Sequence, residues 1–140
     1  MDASYGPAIA VQTVETGFGD NQSEWNAVYA QIQGDRLYMI ITGNIEANFN
    51  KLNIFFDSVG GGENVMSNLP EYDFFNGGAG AWISTNFGGM VFDAGFAADY
   101  HMYMRAGNGN MEVDFIDRQG GAGIDVGGNT GSSAYAGGIG

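Results

Sequence analysis

The sequence predicts an all-β protein: a single antiparallel, jelly-roll-like β-sandwich. Three observations carry that expectation. Apolar side chains recur at every second position in several short runs, which is the period of a half-buried strand. Turn-forming Gly, Asn and Asp residues separate those runs. Glycine supplies 25 of 140 residues without a collagen repeat, which suits short strands joined by many turns better than helices.

Residues 8 to 14, rich in β-branched side chains, form the first expected strand, with Pro7 at a position compatible with a strand start. A polar loop containing Asp20 and Glu24 follows. Residues 25 to 33 and 36 to 42 then alternate around Gly34-Asp35. With those two as the turn, Ile32 falls opposite Leu37, Ala30 opposite Met39 and Val28 opposite Ile41, all on one face. A slip of one residue would put the two stripes on opposite faces, so pattern and turn chemistry specify one register. Leu52, Ile54 and Phe56 supply a third stripe ending at Asp57, and the three runs together read as a meander.

The stretch from Val59 to Trp82 reads as long and irregular, with one helical turn expected over residues 63 to 69 before Pro70. Loops of that length in a compact domain usually have a function. Its aromatic residues (Tyr72, Phe74, Phe75, with Trp82) suit either a stacking platform for a sugar ring or plugs beneath a loop. A second hairpin is expected from residues 90 to 105 and 111 to 117. A four-residue loop at 106 to 109 sets Met104 against Met111, Met102 against Val113 and Tyr100 against Phe115 on the apolar face. The outward face then pairs Tyr103 with Glu112 and His101 with Asp114, beside Asp99 and Arg105. The expected domain spans residues 1 to 118. The remaining 119 to 140 is so rich in glycine that composition reads as a linker, unless its own sheet or a neighbouring subunit orders it.

Sixteen acidic residues against four basic ones give a net charge of -12, which repels a phosphate backbone and argues against nucleic-acid binding. With no cysteine, disulfides, thiolate metal sites and cysteine nucleophiles are excluded. No run approaches the ~18 apolar residues of a membrane span, and the sequence from Met1 to Ser4 lacks the basic and apolar regions of an export signal.

His101 is the one histidine, and no G-x-S-x-G elbow accompanies it, so a Ser-His-Asp hydrolase is disfavoured. Zinc catalysis is disfavoured too, because such sites usually take at least two His or Cys ligands. Oxygen ligands for a hard cation are plentiful. Asp20, Asp57, Asp73 and Asp93, in or beside loops, are the expected metal ligands, with Ca²⁺ ahead of Mg²⁺. Three functional classes follow. One is a non-catalytic binding or structural domain that takes Ca²⁺ and a glycan or small molecule, with Trp82 and Tyr103 stacking and Arg105 and Glu112 making polar contacts. Another is a small metal-dependent hydrolase of phosphoesters, with His101 as general acid or base and Asp99 and Asp114 as metal or orienting groups. The third is self-assembly through exposed sheet edges and the segment 119 to 140.

The runs 2 to 6, 37 to 44, 48 to 58 and 92 to 100 resemble bacterial, often planctomycete-type, extracellular proteins. These are similar in turn to DOMON-like and family 9 carbohydrate-binding β-sandwiches. The resemblance spans most of residues 2 to 117 and implies a secreted, ligand-binding sandwich. It also implies further chain on both sides, so that the sequence reads as truncated. Unpaired sheet edges would then favour a homodimer or a higher, self-assembling array.

Overall fold

The computed structural model describes residues 5–15, 17, 19, 22–67, 87–107, 110–118 and 123–130. All seven named elements are strands. They are β1 (Ala10–Val11), β2 (Trp25–Gln33), β3 (Arg36–Gly43), β4 (Asn48–Phe56), β5 (Tyr100–Gly107), β6 (Asn110–Asp117) and β7 (Gly123–Thr130). They form a three-stranded sheet in the order β1-β2-β3 and a four-stranded sheet in the order β4-β5-β6-β7. The expected all-β, antiparallel class is what the chain adopts. The chain divides into two compact units, Met1–Asn50 and Lys51–Gly140.

In the first unit, β2 and β3 pair in the expected register: Ile32 with Leu37, Ala30 with Met39 and Val28 with Ile41. Gly34 occupies the first central position of the turn at a φ of 62°, which is where a II′ hairpin needs a left-handed residue. The first strand is far shorter than residues 8 to 14, pairing only Ala10 with Val28 and Val11 with Ala27. No described residue of this unit is buried, and Ile32 is 75% exposed.

The third stripe does not continue a meander. β4 joins the four-stranded sheet, where Asp99 N–H donates to the Phe56 carbonyl at 2.7 Å just before β5 begins. Residues 63 to 67 form no helical turn. Glu63 bridges Ala98 and Val65 bridges Val91, so this stretch runs extended along its neighbours.

β5 and β6 pair two residues away from the expected register: Gly107 opposes Asn110, Met104 opposes Val113 and Met102 opposes Phe115. The sequence between the flanking residues is Asn108-Gly109, a strong two-residue hairpin signal that a four-residue loop overlooks. A shift of two preserves which side chains share a face. It does not decide which face is covered, and here the expectation inverts. Tyr103 and His101 are fully buried, and Tyr103 clusters with Met66 and Ile116. Phe55, Phe87, Met90 and Phe92 pack against that cluster. Met66, Phe87, Met90 and Phe92 all come from chain outside the named strands on either side of residues 68 to 86, so among the described residues of this unit it is loops that pack over the His101 face. Each large apolar side chain removed from water in this way contributes about 1.5–3 kcal/mol.

The opposite face is also apolar, with Val113 buried and Tyr100, Met102, Met104 and Phe115 half-buried. Tyr100 stacks on Phe115, whose ring also lies 6.3 Å from that of Phe56. Beyond β6, part of the glycine-rich segment is ordered by the sheet itself, since β7 pairs with β6 from Asn110–Thr130 to Ile116–Gly123.

Candidate functional site

The second unit gathers its buried polar groups where the loop after β4 meets the chain entering β5. Asp99, with no exposed surface, sits one residue before β5. Its Oδ2 accepts the N–H groups of Ser58 at 2.5 Å and Val59 at 2.8 Å, and its carbonyl accepts Arg118 N–H at 2.7 Å. The carboxylate therefore caps the turn that leaves β4. Gly62 approaches from the other side at a φ of 77°. A methyl group there would lie 2.8 Å from Asp99 Oδ1 and 2.5 Å from the Ala97 carbonyl, so the cradle admits glycine alone.

His101, two residues on, faces the core. Its ring stacks on Phe55 at 4.3 Å and 22°, and its Nε2 lies 3.0 Å from Asn53 Oδ1. An amide oxygen only accepts, so Nε2 carries the proton and Nδ1 the lone pair. Nδ1 is buried without a hydrogen-bond partner among the described residues. Burial first, and then the charge of Arg118, push the imidazole pKa down to about 3. The ring is neutral throughout the range in which proteins usually work.

Arg118, 2% exposed, closes the cluster. Its Nε and Nη2 donate to Glu63 Oε2 at 2.9 and 2.5 Å, and Nη2 reaches Ser67 Oγ at 3.4 Å. Ser67 N–H also donates to Glu63 Oε2, at 3.4 Å, which folds residues 63 to 67 around the carboxylate. Removing two charges from water is repaid only with hydrogen bonds of this kind.

The expected outward site is therefore corrected. His101, Asp99 and Tyr103 are sealed inside, because the loops carrying Met66 and Phe92 cover the face that the alternation pattern assigned to solvent. Asp114 stands across from Tyr103, and Ile116 stands across from His101, so no His101–Asp114 pair is formed across the strands. Tyr103 in the core presents no ring for stacking on a ligand. Arg105 is half-buried and lies across from Glu112. Lys51 has its pKa lowered by burial and by the neighbouring charge of Arg105.

Of the expected metal ligands, Asp57 Oδ2 accepts Ala97 N–H at 3.1 Å. The Asp93 backbone carbonyl accepts Phe96 N–H at 3.0 Å and Asn64 Nδ2 at 3.5 Å. Among the described residues no three His, Asp or Glu side chains converge as a metal site. Asp20, Asp73 and Trp82 lie outside the described residues.

Sequence reasoning missed Glu63, Arg118, Asn53 and Gly62. Glu63 and Arg118 are far apart in the chain and carry no local signal of pairing. Only the Gly60-Gly61-Gly62 run offered a clue, as a place where backbone must pass close to something.

Comparison with protein-family profiles, with curated proteins and with solved structures finds no match. What fold and site define is an antiparallel all-β protein whose second unit is built on an internal polar cluster. Among the described residues no helix is long and apolar enough to cross a membrane.

Proposed function

We propose that the chain is a secreted-type, non-catalytic binding or structural domain of the jelly-roll-like β-sandwich class. One observation carries the non-catalytic reading. The groups best suited to acid–base chemistry, His101 and Asp99, are consumed by Asn53 Oδ1 and by the N–H groups of Ser58 and Val59, with no exposed surface. A general base must reach its proton and hold a pKa near the working pH. A buried imidazole at about 3 does neither.

Within that reading Ca²⁺ is the proposed ion and a glycan the proposed organic ligand. The acidic balance of the chain and the loop carboxylates Asp57 and Asp93 support the first. Trp82, with Arg105 and Glu112 at opposed positions of β5 and β6, supports the second. The test is a thermal melt with Ca²⁺ and with chelator, run beside assays on chromogenic phosphoesters and esters. The expected result is a melting temperature raised by Ca²⁺ and no turnover. Turnover that chelator abolishes and His101→Ala cripples would overturn the reading.

A further inference from the structure

We propose that the outer edge of β3 is a docking strand for a second copy of this chain, joined antiparallel across a two-fold axis. The inference stands apart from the ligand reading above.

β3 ends the three-stranded sheet, and among the described residues nothing pairs with its outer edge. Its unit buries no described residue, and Ile32, Leu37 and Tyr38 at the hairpin end are 75%, 52% and 41% exposed. A small sheet of this kind gains stability chiefly by covering its apolar face or extending its ladder. Natural edge strands usually carry a proline, a bulge or inward charges that block pairing. From Leu37 to Thr42 β3 has no proline, no glycine and no charge, and it is made of β-branched, aromatic and long apolar residues. That is the composition of a strand that adds to another.

Charge selects a copy of the same chain as the occupant and fixes the direction. The whole chain carries -12, yet residues 25 to 43 contain only Asp35 and Arg36 and sum to zero, so this surface meets its own copy without bringing net charge together. In an antiparallel pairing centred on Ile40, which then faces its own copy, the two Arg36 residues lie at opposite ends. At ~3.4 Å per residue they are separated by roughly 27 Å, beyond the screening length of about 8 Å at physiological ionic strength. A parallel pairing would set them side by side. The antiparallel contact is also self-complementary, as a two-fold interface must be. The remaining charge of each copy repels at long range, so added salt should favour association.

Sedimentation of the full chain over a concentration series, at low and high salt, reads this directly. The expected result is a dimer that grows with concentration and with salt. Leu37→Lys places a charge on the edge and should abolish the dimer while preserving the far-UV circular dichroism of the wild type. Met39→Pro should do the same, because in a hairpin closed by the Gln33–Arg36 pair the Met39 N–H points away from β2. In a chain with no other cysteine, Ile40→Cys should crosslink to its own copy on mild oxidation. A wild-type monomer at every concentration and salt overturns the proposal. So does a dimer that survives Leu37→Lys, or an associating Ile40→Cys chain that forms no crosslink.

Discussion

The two units solve the same problem in different ways. In β2 and β3 the alternation of apolar residues and a two-residue turn fix every partner, yet no described residue there is buried. In β5 and β6 the pattern is equally regular, but irregular chain folds over the face that holds a histidine and a tyrosine and makes it the core. The difference teaches that alternation specifies pairing, whereas the side that becomes interior is decided by what the rest of the chain can lay over it. In the second unit that covering is held by polar groups: Asp99 on the turn after β4, and Arg118 on Glu63.

Removing a partner from the buried pair should break the second unit hardest. Arg118→Ala leaves Glu63 and Ser67 without their guanidinium and is expected to cost about 3–5 kcal/mol, measured by urea unfolding followed by near-UV circular dichroism. Acid should act on the same unit. The folded pKa of His101, about 3, lies below its ordinary value of 6.5, so the unfolded chain takes up the proton first. This contribution to stability is complete above pH 6.5 and is lost as pH falls from there towards 3, at up to about 1.4 kcal/mol per pH unit. His101→Gln should flatten that limb of the stability curve.

Asp99→Ala removes the carboxylate that accepts the N–H groups of Ser58 and Val59 and should cost roughly 1.5–3 kcal/mol, the worth of hydrogen bonds to a charged group, in the same unfolding experiment. The first unit supplies the contrast. Ile32→Ala, at the exposed end of its sheet, should change stability by no more than about 0.5 kcal/mol. A loss comparable to that of Arg118→Ala would show that this sheet has a covered face after all.

The sequence revealed local structure and concealed long-range structure. The β2–β3 register could be read because the turn and both stripes lie within twenty residues. The β5–β6 register came within one step of two, and the Asn108-Gly109 pair that corrects it was present in the sequence. The separation of β4 from β3 was hidden, since the stripe of Leu52, Ile54 and Phe56 looks the same whichever sheet it joins. The site fared worst. A histidine in an alternating strand among acids reads as solvent-facing, and nothing near it in sequence announces that Phe55 will stack on it, that Asn53 will bind it or that Met66 will help to cover the face. Glu63 and Arg118 meet only because Glu63 bridges Ala98 and Arg118 bonds the Asp99 carbonyl. That coincidence belongs to the fold.

The inverted face of β5 is tested most directly by following the His101 imidazole resonances of the intact chain through an acid titration. The account predicts a neutral ring protonated at Nε2, unchanged from pH 8 to below pH 4 while the chain is folded. A midpoint near the ordinary histidine value of 6.5 in the folded protein would place the ring in water and contradict it.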